Sequence, residues 1–346
     1  MCRRAGGQTD ENVQAGDAMT LFYDARGNIY GVVSPAFLRD QGIPVPESAA
    51  QAALTRKAWA VDAVASECAW EPTQRPVNAK AHRCDGLLVG PFQFEAPFDL
   101  LIVNTDGSLA ERSGNGLTIF AQALTDQGLL SAACELRVHH DQPQGPSPVA
   151  TGVEPAVYEH LAGFWLDLGL PEFGPSAVGA QGVEHASLGR AELSHVRELA
   201  AINPHWAHSQ FVRVGNPHCV TLVEQVAALP DNRHMQHLAL FDSLRAIAFA
   251  PPVGGGKPCT AGVNLQWATM LGHNRIAARV FERGEGPTAS SGTSASAVAC
   301  AAWRVGWVEG GEVAVVMPGG TAPVRLHVQD DALLSVSLFG AAHLQG

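Results

Sequence analysis

Phe281-Glu-Arg-Gly-Glu-Gly-Pro-Thr-Ala-Ser-Ser-Gly-Thr-Ser294 is the stretch on which the reading of this chain turns. The apolar run Ile276 to Phe281 before it ends in Glu282 and Arg283, and the Ala-rich segment Ala295 to Val305 follows it. That order predicts a strand, a glycine-rich turn and a helix start. Backbone N–H groups at a helix start have no intrahelical acceptor, and flanking glycines let a ligand approach them, so the stretch suits an anion. The same recipe occurs earlier. Leu101-Ile-Val-Asn-Thr-Asp-Gly-Ser108 leads through Glu111-Arg-Ser-Gly-Asn-Gly116 into the apolar segment Leu117 to Leu124. Each copy places a Ser-Gly pair at a helix start, and two such helices face to face would hold one carboxylate between Ser113 and Ser291.

Composition narrows the function classes. A length of 346 residues exceeds the ~250–300 at which single cores stop growing, so two domains are expected. The formal net charge of −11, without a basic run, argues against nucleic acid and anionic membranes as partners. No apolar stretch is long enough to span a bilayer, and Met1 to Ala18 has no apolar signal core, so it is read as a disordered tail. Seven scattered cysteines without Cys-x-x-Cys spacing suggest neither zinc nor a disulfide frame. A reduced, cytoplasmic protein follows.

Along the chain, Thr20 to Tyr23 and Ile29 to Val33 read as strands about a turn at Asp24 to Asn28. Ser34 to Arg39 reads as a short capped helix, Glu47 to Ala69 as helical, and Phe98 to Val103 as a strand. Ser113 to Leu130 is a helix and Cys134 to His139 a strand. The Pro/Gly-rich stretch Asp141 to Val153 is taken as the junction, dividing a first domain at 19–140 from a second at 141–335. The last residues, 336–346, are read as a strand returning to the first domain. In the second half Phe164 to Leu168, Phe211 to Val214, Val220 to Val223, Asn264 to Met270 and Arg275 to Phe281 are strands, and Pro171 to Ser187 is a loop. Glu312 to Val328 is a hairpin and Leu334 to Phe339 the last strand. Two α+β halves, each carrying one strand–turn–helix element with Ser-Gly, imply a duplicated architecture.

Taken together, Asn104-Thr-Asp-Gly-Ser108, Ser113-Gly-Asn-Gly116, Gly215-Asn-Pro-His218, Glu282-Arg-Gly-Glu-Gly286 and Ser291-Gly-Thr293 resemble the diaminopimelate epimerase family. Gly27-Asn28, Asp85-Gly-Leu-Leu88, Asn264 and Pro318-Gly-Gly320 extend the match in the family's order from about Met19 to the C-terminus. The resemblance implies an α+β fold of two pseudo-duplicated domains, each a mixed sheet around a central helix, with the active site in the cleft between them. It implies a cofactor-independent epimerase or racemase of lysine biosynthesis, most simply acting on diaminopimelate (LL to meso) or a similar amino acid. Ser113 and Ser291 take the catalytic positions. The α-carboxylate would sit on the N–H groups of Gly114, Asn115, Gly292 and Thr293, with Asn28 beside the reacting centre. Asn104, Asn216, Asn264 and Arg283 would hold a distal carboxylate, for which a guanidinium fork is well shaped, and Glu282 would accept from a distal ammonium. His218 is the auxiliary group nearest by motif. Neither metal nor pyridoxal phosphate is called for; the partners are a small amino acid and, as a further expectation, a second copy of the chain.

The departures from the family matter as well. The resemblance leads one to expect a cysteine at each helix start, and this chain has Ser113 and Ser291. A thiol (pKa ≈ 8.5) is tuned readily at a helix start, whereas a serine hydroxyl needs a neighbouring base. Pro287 stands where Glu is usual, Ser294 for Gly, Ile29 for Asp, and Thr118 for Arg. Two-base epimerisation therefore competes with two other readings. One is a one-face isomerase, tautomerase or dehydratase of the same superfamily. The other is a silent amino-acid-binding homologue or a Cys-to-Ser trapped variant. The plainer reading of both serines is simple N-capping; Cys84 and Cys219 border the motifs but read as packing residues. The segment Arg39 to His82 is long for the family and is read as a cap over the site or a dimer contact.

Overall fold

The computed structural model describes residues 19–71, 73–77, 79–142, 146–188 and 191–345; the tail read at Met1 to Ala18 lies outside them. The described residues form two compact units, one running to Leu166 and taking in those from Gly340 onward, the other Asp167–Phe339.

The first unit begins with a hairpin of β1 (Leu21–Ala25) and β2 (Asn28–Val33). Its two-residue turn puts Arg26 and Gly27 at φ 55° and 85°, the mirror-image turn whose twist suits a hairpin. The sheet continues through β3 (Gly86–Val89), parallel to β2, and β4 (Phe98–Asn104), which carries the short β5 (Leu109–Ala110). Beyond β4 lie β6 (Cys134–Val138), β7 (Val149–Tyr158) and β8 (Leu161–Asp167). The C-terminal pair His343–Leu344 adds to the outer edge of β1.

Alternation along the strands gives this sheet two apolar faces. Leu88, Leu100 and Ile102 turn one way, onto a helix buried on nearly every side through Leu117, Ile119, Phe120 and Leu124. Leu87, Val89, Leu101 and Val103 turn the other way, onto α1 (Pro35–Asp40), α2 (Ala49–Leu54) and α3 (Ala60–Glu67). The central helix of the unit is α4 (Gly114–Asp126). Two expectations change here. The helical stretch of Glu47 to Ala69 is broken by a 3₁₀ turn at Arg56–Ala58. The long segment from Arg39 supplies the second helical layer: Trp59 is fully buried and donates from Nε1 to the Ala52 carbonyl at 2.9 Å. Apolar side chains on the back of β3 and β4 need that cover, so the segment is a layer of the fold itself.

The expected junction also moves. Val149 to Val153, read as loop, pairs with Cys134 to Val138 as the start of β7, so the strands after Asp141 extend the first sheet.

The second unit holds β9 (Glu172–Phe173), β10 (Glu184–Leu188), β11 (Ala191–His195), β12 (Ser209–Val214) and β13 (Asn216–Leu222). It continues with β14 (Asn264–Gly272), β15 (Arg275–Glu282), β16 (Gly286–Thr288), β17 (Gly311–Met317), β18 (Gly320–Gln329) and β19 (Ala332–Gly340), before β20 (His343–Leu344) rejoins the first. Strands β13 and β14 run parallel, as do β15 and β17; the other ladders are antiparallel. The region Pro171 to Ser187, expected as loop, contains β9, α5 (Pro175–Val178) and most of β10. Outside the sheet lie α6 (Arg197–Ile202), α7 (Asn232–Met235) and α8 (Leu238–Ala248), with Leu199, Leu244 and Ile247 on Phe211, Trp267 and Phe281. The opposite face wraps α9 (Gly292–Arg304), whose buried residues from Ser294 to Ala302 are nearly all Ala, Ser or Cys. Side chains that small let the strands close around the helix on several sides.

Gly86 sits where β3 crosses β4, and a Cβ there would overlap the Val103 carbonyl oxygen. Gly86→Ala should cost about 1–3 kcal/mol, read as a lower urea midpoint at unchanged slope. An unchanged midpoint would contradict this packing.

Candidate functional site

In the first unit β4 ends at Asn104, and the Asn104–Ser108 turn is pinned from within. Gly107, at φ 78°, donates its N–H to the Asn104 carbonyl at 2.9 Å, and Asn104 Nδ2 donates to Ser108 Oγ at 2.9 Å. The Ser108 hydroxyl, donating to Asp106, holds that carboxyl below its ordinary value. The chain then extends through Ser113 (φ −142°, ψ 117°), whose Oγ accepts from Gly116 N at 3.0 Å. The first helical bond runs from Leu117 N to the Ser113 carbonyl at 2.8 Å. The serine thus satisfies one open donor at the helix start, and the N–H groups of Gly114 and Asn115 point out of the first turn.

Asn115 and Asn28, distant in sequence, are brought together: Asn115 Nδ2 donates to Asn28 Oδ1 at 2.5 Å. Asn28 Nδ2 in turn donates to Asp85 Oδ2 at 3.4 Å, and Ile29 N donates to the same oxygen at 3.0 Å. Lys80 closes the chain with Nζ 2.6 Å from Asp85 Oδ1. Asp85 is therefore the orienting group for Asn28. The sequence motif Asp85-Gly-Leu-Leu88 marked the position without revealing that role.

In the second unit the register gathers the expected residues at one end of the sheet. β13 and β14 start there, with His218 beside Asn264, and β15 finishes there, with Phe281 beside Leu265. Asn216, Asn264 and Glu282 thus share that end. Asn264 Oδ1 accepts from Arg283 N at 2.9 Å, and Arg283 also donates from its guanidinium to the Ala261 carbonyl at 3.1 Å. Ser291 (φ −154°, ψ 123°) caps α9 by accepting from Ser294 N at 3.4 Å; Ala295 N makes the first helical bond to its carbonyl at 2.9 Å. The N–H groups of Gly292 and Thr293 are left in the position that Gly114 and Asn115 hold in the first unit.

The electrostatics separate the two serines. The Ser291 hydroxyl lies near the Glu282 carboxyl. Burial pushes that carboxyl above its ordinary value; the Ser291 hydroxyl acts to lower it and the Glu285 charge adds to the shift. Within its own unit Ser113 has no carboxylate or imidazole among its hydrogen-bond partners.

His218 is fully buried, and burial, with the Arg283 charge adding, pushes its imidazole down to about 3. It is neutral at any working pH, and it meets Gln266 at 3.0 Å. Cys219 is also buried, which pushes its thiol up to about 12, so it offers no ready thiolate. Among the described residues no cluster of three His, Cys, Asp or Glu could hold a metal ion. No helix among them is long and apolar enough to cross a membrane.

A family model described as diaminopimelate epimerase matches residues 210–344. Diaminopimelate epimerase 2 of Nostoc sp. is 28% identical over 254 residues, spanning 73% of this chain and 77% of that protein. The diaminopimelate epimerase of Neisseria meningitidis is 26% identical over 288 residues, 80% and 89% of the two chains. Among solved structures, a Bacillus anthracis phenazine biosynthesis protein of the PhzF family superposes with a TM-score of 0.53 at 12% identity, covering 94% of this chain and 96% of that one. A hydroxyproline epimerase from Agrobacterium vitis does so at 0.51 and 14% identity, covering 94% and 89%. These likenesses carry the fold, and the sequence relatives carry the ancestry. Its ordered motifs, the family model over residues 210–344 and relatives aligned over about three quarters or more of their own length make the chain similar to diaminopimelate epimerases.

Proposed function

We propose that this chain is a cofactor-independent amino-acid epimerase that takes diaminopimelate (LL to meso) or a similar amino acid by removing and returning the Cα proton. The observation that carries the reading is a partly buried Glu282 carboxyl near the Ser291 hydroxyl, which caps a helix start with open N–H groups. In this proposal the open N–H groups of Gly114 and Asn115, and those of Gly292 and Thr293, are the donors for the α-carboxylate. As the Cα proton leaves, charge moves onto that carboxylate, where helix dipoles and fixed donors stabilise it. Ser291 Oγ takes the Cα proton from one face while its own proton passes to Glu282, and the Ser113 hydroxyl gives a proton to the opposite face of Cα and is reprotonated from water. A carboxyl raised toward the working pH suits that exchange better than one at its ordinary value. In this proposal Glu282 takes this part in place of the distal-ammonium role that the family resemblance suggests. Asn104, Asn216, Asn264 and Arg283 remain the proposed holders of a distal carboxylate, with Asn28 beside the reacting centre. On this reading the protein serves diaminopimelate and lysine biosynthesis in the cytoplasm.

One observation favours a second reading. Ser113, bonded to Gly116 N, has no carboxylate partner in its own unit, whereas Ser291 has Glu282. A site with one competent face moves a proton without inverting the centre, as an isomerase or tautomerase does.

Incubation in heavy water with diaminopimelate stereoisomers and a panel of other amino acids, read by NMR, separates the readings. Exchange with inversion is expected, and Ser291→Ala and Glu282→Gln should each slow it about 10²–10⁴-fold. Exchange with retention would establish one-face chemistry. No exchange, either in the native chain or with Ser113→Cys and Ser291→Cys together, would refute the enzyme reading.

The raised Glu282 carboxyl also sets a pH dependence. Above the ordinary carboxylate value (4.5) the native state holds this proton longer than the unfolded state does, so the group's contribution to stability falls as pH rises through its raised native value. Glu282→Gln should remove that fall and leave the variant relatively more stable at neutral pH than at pH 4 when compared with the native chain. A constant difference in urea midpoint across that range would contradict the assignment.

A further inference from the structure

Gln266 interrupts an otherwise apolar strand, Leu265-Gln-Trp-Ala268, and its side chain points to the face that wraps α9. It is fully buried, as are His218 and Ser294. Its Nε2 donates to His218 Nδ1 on β13 at 3.0 Å and to Ser294 Oγ on α9 at 3.0 Å. Ser294 N donates to Ser291 Oγ, the cap that carries the reacting hydroxyl. A run of hydrogen bonds therefore connects two central strands to the first turn of the helix. Exchanging the amide's oxygen and nitrogen would reverse donors and acceptors but leave the same connection.

The arrangement is a poor one for stability alone. Gln266 Oε1 and His218 Nε2 are buried without a hydrogen-bond partner among the described residues. Groups left so offset part of what the two bonds contribute. A half-satisfied buried network of this kind supplies position more than stability.

We propose that Gln266 and Ser294 are positioning residues, which set where the first turn of α9 sits and so place Ser291 Oγ against Glu282 and the substrate Cα. The inference rests on the reading of Ser291 as a proton carrier. Gln266→Leu keeps nearly the same volume and removes both bonds; Ser294→Ala removes one partner in a residue type that suits a helix. Each should lower kcat for α-proton exchange about 10–100-fold, the effect of misplacing a reacting group by about 1 Å, while KM changes less than about threefold. The double variant should be no slower than Gln266→Leu alone, because the two residues act through one connection. A general loosening of the unit would instead raise KM and give additive losses.

Amide hydrogen exchange of the segment 291–296 gives a readout independent of turnover, and it should speed up in both variants. Native-like kcat in both variants, or exchange at 291–296 unchanged in both, would overturn the inference. If the native chain exchanges no amino acid, the epimerase reading fails by itself, and the amide-exchange arm still decides whether Gln266 holds the helix start. Should Gln266→Leu fail to fold, Ser294→Ala carries the same comparison.

Discussion

Everything proposed for this protein depends on how a serine closes a helix start. An α-helix begins with four N–H groups that have no acceptor in the helix, and a capping side chain satisfies only part of that set. At α4 the Ser113 hydroxyl takes Gly116 N, and at α9 the Ser291 hydroxyl takes Ser294 N. The donors nearest the chain entry are left to a ligand. In the proposed reaction the capping atom is itself the reacting hydroxyl, so one interaction would both leave the anion donors open and aim that group. Simple capping and a chemical role are therefore the same arrangement, seen without and with a substrate.

What distinguishes the two starts is the group on the far side of each serine. Ser291 lies near Glu282, a carboxyl that burial holds above its ordinary value. Ser113 stands on the unit whose polar residues are spent on alignment: Asn115 on Asn28, Asn28 on Asp85, and Asp85 on Lys80. A serine without a base is a weak partner for a Cα proton, so the chemistry is weighted toward the α9 side. His218, the imidazole nearest by motif, is buried and neutral and belongs to the support behind α9.

Much of this was legible in the chain because it is written locally. Strand alternation, the Asp-Ala-Arg-Gly-Asn turn and Ser-Gly ahead of an apolar run are short-range signals, and they located β1, β2, α4 and α9. Failures came where a residue's role is set by something far away. Val149 to Val153 looks like a linker until it is paired with Cys134 to Val138. The segment around Trp59 looks surplus until the apolar back of β3 and β4 is seen to need a cover. Helix α8 lies between Val223 and Asn264, where no motif drew attention to it. Glu282 could be read as a ligand group for a distal ammonium; its place near Ser291, which supports the proposed base role, is not deducible from the motif. Gln266 had one visible signal, a polar side chain inside an apolar strand, but its partners on β13 and α9 are not deducible from that.

The most direct test of the central claim is a titration of the ¹⁵N-labelled chain with diaminopimelate, following backbone amide resonances. The account predicts large shifts at Gly114, Asn115, Gly292 and Thr293, with smaller ones where the distal groups lie, at Asn264 and Arg283. Shifts of the first four amides no larger than those of remote loops, in a chain that binds the ligand by calorimetry, would show that the helix starts are caps alone and that the carboxylate is held elsewhere.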